Sequence, residues 1–139
     1  MKKIILFILV VVSFSSCIKK DAIKYDPNLS GTWVSYEDNI YSWLIITSDG
    51  QGTFASTESS ESDTQGQVKY SLFEKKMWIG SKKFKVVEWW TGKLDGTSEI
   101  KTKDYTNRMD TTYGVDYKMV LKTSAFSSNR TITFYKIKE

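Results

Sequence analysis

The sequence predicts an all-β domain, an eight-stranded antiparallel up-and-down barrel. Three observations predict it. Stretches of period two, rich in aromatic and β-branched residues, recur from Leu29 onward, short Gly/Asp/Ser/Lys turns separate them, and no stretch carries a sustained apolar stripe at helical spacing. A chain of 139 residues suits one domain, and 40% apolar with 26% charged residues is the composition of a folded globular chain.

Gly31-Thr32-Trp33-Val34-Ser35-Tyr36 opens the domain, and Tyr41-Ser42-Trp43-Leu44-Ile45-Ile46-Thr47 follows a polar loop. Ser48-Asp49-Gly50-Gln51-Gly52 holds the Asp49-Gly50 pair that a tight hairpin needs for its positive-φ positions, and Thr53-Phe54-Ala55-Ser56-Thr57 returns. Residues 58–65 are polar throughout and acidic, which makes them a solvated loop or hairpin tip. Three strands then follow in 67–73, 76–80 and 83–90, joined so closely that neighbours must be antiparallel.

Tyr117, Met119 and Leu121 alternate with Asp116, Lys118 and Lys122 on a half-buried strand. Ser127-Ser128-Asn129 turns the chain, and residues 130–137 close it with Ile132 and Phe134 on one face. Short connections let the last strand pair with the first, so that no edge remains. The interruption is residues 91–113, rich in Thr, Asp and Lys and carrying a short strand at 98–102, which is the place for a functional loop.

The chain has no His and one Cys, which excludes the Ser-His-Asp and Cys-His nucleophile systems, His/Cys zinc sites and disulfides, and no motif calls for a metal or another cofactor. Glu88 with Asp95, or with Asp116, is in principle a glycosidase-like carboxylate pair, and nothing in the spacing supports it beyond chance. The expectation is a non-enzymatic protein.

Met1-Lys2-Lys3 and the apolar run 4–12 read as a secretory signal, too short to span a bilayer permanently. Phe14-Ser15-Ser16-Cys17 resembles the lipobox of bacterial lipoproteins, with Phe14 where Leu is usual, a variation found in the Ser-rich lipoboxes of Bacteroidota. The resemblance implies a signal peptide over 1–16, a lipidated Cys17 with a flexible tether over 17–28, and a barrel domain over 29–139. The alternative is an ordinary signal peptide that leaves a free thiol. Several acyl chains on one residue anchor stably where a single chain binds marginally. The implied location is the outer membrane, lipid-anchored, facing either the cell surface or the periplasm. Loss of Lys2 and Lys3 lowers the formal charge from +4 to +2, so the basic pI of about 9.0 is no argument for nucleic acid. Lys75-Lys76 and Lys82-Lys83 read as turn charges that guard hairpin edges.

Leu29-Ser30-Gly31-Thr32-Trp33, followed by Ile45-Ile46-Thr47-Ser48-Asp49-Gly50-Gln51-Gly52, resembles the opening of bacterial lipocalin-like domains, in which a Gly-x-Trp begins the barrel. The resemblance implies structural roles for Gly31, Trp33, Asp49 and Gly50, with Trp33 plugging one barrel end and Arg130 as the candidate to stack on it. Asp110-Thr111-Thr112 resembles the O-glycosylation acceptor of exported Bacteroidota proteins.

Alternation places Trp43, Ile45, Phe54, Val68, Tyr70, Leu72, Met77, Ile79, Phe84, Val86, Tyr117, Met119, Leu121, Ile132 and Phe134 inward. Small eight-strand barrels either fill with side chains or hold one small apolar ligand. The leading expectation is a monomeric carrier of a small apolar ligand, with Trp43, Tyr70, Phe84, Glu88, Trp90, Tyr117 and Met119 lining the barrel interior or mouth. Adjacent strand residues face opposite ways, so Trp89 or Trp90 should lie outside or at the rim, where it can stack on a glycan or an envelope protein together with the 91–113 loop. A third reading is an inhibitor of hydrolases.

Overall fold

The computed structural model describes residues 26–58, 63–123 and 130–139. The signal segment 1–16, the lipobox Cys17, most of the tether, the centre of the acidic loop and the Ser127-Ser128-Asn129 turn lie outside the described residues.

After a 3-10 turn at Pro27–Leu29, the chain forms β1 (Gly31–Glu37), β2 (Ile40–Ile46), β3 (Gln51–Ser56), β4 (Thr64–Ser71), β5 (Lys76–Ile79), β6 (Lys82–Lys93), β7 (Glu99–Lys103), β8 (Asp110–Thr123) and β9 (Thr131–Ile137). Each of β1 to β5 pairs with its successor, β6 pairs with β8, β8 with β9, and β9 with β1. That closes an eight-stranded antiparallel barrel with β7 as an extra strand on β8. Closure leaves no unpaired edge in the barrel wall.

Local chemistry sets the register. Thr47 and Gly50 close the β2–β3 turn, with the Thr47 hydroxyl on the Asp49 carboxylate and Gly50 at φ 86°. That hydroxyl holds the Asp49 carboxyl below its usual range. Gly31, at φ 131°, starts β1 with a backbone angle that requires glycine, whereas an added Cβ would meet only the end of the flexible Lys136 side chain, which can move aside.

The inward faces form one apolar core of Leu29, Trp33, Leu44, Ile46, Phe54, Val68, Met77, Ile79, Phe84, Val86, Trp90, Met119, Leu121, Ile132 and Phe134. At its centre Phe54 from β3 meets Phe84 from β6 at 5.2 Å and Phe134 from β9 at 6.5 Å, both edge to face. Rings from three sides of the wall thus touch across the barrel axis. One end is closed by the Pro27–Leu29 turn, whose Leu29 carbonyl accepts the Trp33 indole N–H at 2.9 Å. Trp33 is a buried plug at this end.

Three inward assignments are corrected. Trp43 and Ile45 are on the outer face of β2, because Leu44 and Ile46 take the core positions, and Leu72 is 67% exposed in the β4–β5 turn. In β2 both faces are apolar, so alternation in the sequence cannot choose between them.

Residues 91–113 also differ from an irregular insertion. They extend β6 to Lys93, form β7 and begin β8, so most of the segment is a β7–β8 hairpin. Beyond Asp116 the hairpin folds back over the outside of the barrel. There Ile100 and Tyr105, with Ile137, pack on a second core of Val34, Trp43 and Ala55. We call this hairpin the strap.

Candidate functional site

The outer faces of β1, β2 and β3 carry a row of directly opposed residues, Val34, Trp43 and Ala55. Two pairs toward the β1–β2 turn, on the same face, Tyr36 faces Tyr41. Tyr36 and Tyr41 stack at 4.3 Å with planes 8° apart, and Tyr41 runs nearly parallel to Trp43 at 6.3 Å. Rings two residues apart on a strand stand side by side on one face, which makes this a ladder of three.

The strap supplies the opposite wall. Asp104 builds its tip: one carboxylate oxygen accepts the backbone N–H groups of Thr106 and Asn107, and the other accepts the Tyr113 hydroxyl at 2.7 Å. The Tyr113 bond, with the Asn107 N–H next, lowers the Asp104 pKa, whereas burial first and Asp104 second raise that of Tyr113. The tip turns through Arg108 at φ 59° and lays its guanidinium 4.1 Å from the Trp43 ring centroid and 5.2 Å from that of Tyr105. Tyr105 meets Trp43 edge on at 5.8 Å, and Lys103 Nζ sits 5.4 Å over Tyr41.

Two clefts open beside Trp43. One of about 490 Å³ is lined by Asn39, Tyr41, Trp43, Ser56, Thr57, Asp63, Lys103 and Arg108. The other, of about 280 Å³, runs beneath the strap between Val34, Trp43, Ile45 and Ile137 on one side and Asp104, Tyr105 and Tyr113 on the other. Aromatic edges beside paired donors and acceptors suit a sugar ring or a short polar segment.

No family model, curated protein or solved structure matches this chain.

The expected site residues separate into four places. Phe84, Met119 and Trp90 are buried in the barrel core, with Tyr70 and Tyr117 packed at its edge. Trp43 lies on the outer wall under the strap, not in the interior. Glu88 is also corrected: it is exposed on the outside and its carboxylate pairs with Lys118 at 3.5 Å, the pairing of β6 with β8 being bulged on either side of it. That irregularity lets the adjacent tryptophans share one cluster: Trp89 meets Trp90 edge on at 4.9 Å, and only Trp89 is partly exposed. Trp90 donates to Asp26 at 3.1 Å and meets Tyr70 at 4.9 Å. Burial first and Asp26 second raise the Tyr70 pKa.

Arg130 does not stack on Trp33. It lies at the other barrel end, where its guanidinium donates to Ser42 at 3.2 Å and Ser56 at 3.4 Å. Ser35, directly opposite Ser42, is fully buried, and its hydroxyl lacks a hydrogen-bond partner among the described residues. From across this end Lys82 places its ammonium 5.0 Å over Phe54 and 5.7 Å over Phe84. Of the carboxylates considered for acid–base work, Asp95 is held by Thr97, whose N–H and hydroxyl lower its pKa, and Asp116 has one buried oxygen without a partner among the described residues.

Sequence reasoning missed Tyr36, Tyr41, Tyr105 and Arg108. The available signal was Tyr36 and Tyr41 flanking a short polar loop, and an Asp104 to Arg108 segment with turn chemistry.

Proposed function

We propose that this chain is a lipid-anchored envelope protein that binds rather than transforms, with the barrel as scaffold and the larger cleft beside the strap tip, between Tyr41, Trp43 and Arg108, as its recognition surface. The observation that carries the reading is the Phe54–Phe84–Phe134 contact across the barrel axis, which occupies the lumen a carrier needs, beside an open cleft lined by Tyr41, Trp43 and Arg108. The ligand class that fits is an oligosaccharide or a polar segment of another envelope protein, since the cleft offers ring surface together with Asn39, Asp63 and two cations. Titration of the chain with envelope oligosaccharides and, separately, with fatty acids tests this. Oligosaccharide binding lost in Tyr41→Ala and in Arg108→Ala supports it. Fatty-acid binding lost in Met119→Ala, with no oligosaccharide response, overturns it.

A second reading keeps the barrel as carrier of a small apolar ligand. It is favoured by the barrel end opposite Trp33, where Lys82 over Phe54 and Phe84 and the Arg130–Ser42–Ser56 cluster suit the polar head of an amphiphile. Native mass spectrometry of protein from its own host distinguishes the two, because a carrier brings a bound apolar mass with it.

A further inference from the structure

The lysines that read as guards of hairpin edges have no edge to guard, because β5 and β6 are hydrogen-bonded on both sides. Lys75 lies in the β4–β5 turn and Lys82 reaches over Phe54, but the register gathers Lys76 and Lys83 with lysines of other strands. Lys76, Lys85 and Lys122 are direct cross-strand partners on β5, β6 and β8, and one row away Lys69 and Lys83 flank Trp78 in the same way. The inward neighbours Met77, Phe84, Val86 and Leu121 are buried, so all five ammonium groups stand on the outside of one face. Like charges directly opposite each other destabilise a sheet. None of the five is in an ion pair among the described residues.

Beside this face, the β4–β5 turn holds out Leu72 at 67% and Phe73 at 98% exposure. The turn belongs to the barrel end at which the described chain begins. Trp90 shows the proximity: it hydrogen-bonds Asp26 and also contacts Tyr70, two residues before Leu72. A concentrated, unpaired positive face with an apolar tip at its margin complements an anionic surface that has hydrocarbon beneath it.

We infer that the outer face of β4, β5, β6 and β8 lies against an anionic lipid bilayer, with the lysines on headgroup phosphates and Leu72 and Phe73 in the interfacial layer. The strap, on the outer face of β1 to β3, then points away from that bilayer. The inference stands on the strand face and not on lipidation of Cys17, and it does not depend on what the strap cleft binds.

The test uses residues 26–139, which contain all nine strands and every core side chain, with each variant's thermal transition recorded as a check of folding. The probes are vesicles of phosphatidylcholine alone and of phosphatidylcholine with phosphatidylglycerol. Co-sedimentation is expected with the anionic vesicles only, falling as salt is raised. Lys76→Glu/Lys85→Glu/Lys122→Glu is expected to weaken it by at least about tenfold. Phe73→Ser weakens it with the salt dependence retained, and Lys101→Glu on the strap leaves it unchanged. Equal binding to both vesicles, no vesicle binding, or full binding by the folded triple variant overturns the inference. Capture by a soluble anionic polysaccharide without vesicle binding also overturns it and assigns the face to a glycan.

Discussion

The indole N–H of Trp43 donates to the backbone carbonyl of Lys103 across 2.8 Å, joining the outer wall of the barrel to the strap. Sixty positions separate the two residues, and the bond fixes where the strap tip comes down. Removing it while keeping a ring, in Trp43→Phe, leaves a carbonyl without its partner. The expected cost is about 1–3 kcal/mol, read as a lower urea midpoint at unchanged slope.

Asp104 is the organiser of the tip, and its lowered pKa gives the effect a sign. A carboxyl depressed in the folded state contributes stability above its ordinary value of 3.8 and loses it as pH falls through the lower folded value. The strap should therefore loosen in acid before the barrel does. Asp104→Asn should produce that loosening at neutral pH, seen as faster amide exchange in β7 with the exchange of β2 and β3 unchanged.

Phe54→Ala should empty the centre of the lumen. The expected destabilisation is about 3–5 kcal/mol, the range for a buried Phe cut to Ala. The cavity left is walled by Phe84 and Phe134 with the Lys82 ammonium at its margin, and largely apolar cavities admit small hydrocarbons. Uptake of an apolar dye by the variant and not by the parent chain would show that the phenylalanines are what closes the barrel to ligands.

Glu88→Gln should change stability by no more than about 1 kcal/mol, since its partner Lys118 is a half-exposed surface cation. Thermal melts of the variant and the parent chain check this. A larger loss would mean that the bulged β6–β8 pairing depends on the ion pair.

The barrel itself was legible because each wall strand has short turns and a buried face, as in the alternation of Tyr117, Met119 and Leu121. The Asp49-Gly50 turn was legible because such a turn needs the positive φ that Gly50 takes, whereas the Gly31-Thr32-Trp33 opening was read from its strand pattern and the motif it resembles. The side on which Trp43 points was not. Residues 43–46 are apolar without interruption, because the strap buries the outer face as the core buries the inner one, and only pairing with Phe54 and Ala55 decides. The tryptophan pair resisted prediction through the irregular pairing around Glu88. Lys69, Lys76, Lys83, Lys85 and Lys122 spread over more than fifty positions and become one surface only through the register of four strands.

The most direct test of recognition at the strap cleft is fluorine NMR of the chain labelled with 5-fluorotryptophan, whose five indoles report separately. The proposed function predicts that envelope oligosaccharides shift the Trp43 resonance and leave Trp33 and Trp90 in place, and that fatty acids move none of the three. Movement of Trp33 and Trp90 on adding fatty acid, with Trp43 still, would contradict it and return the ligand to the barrel.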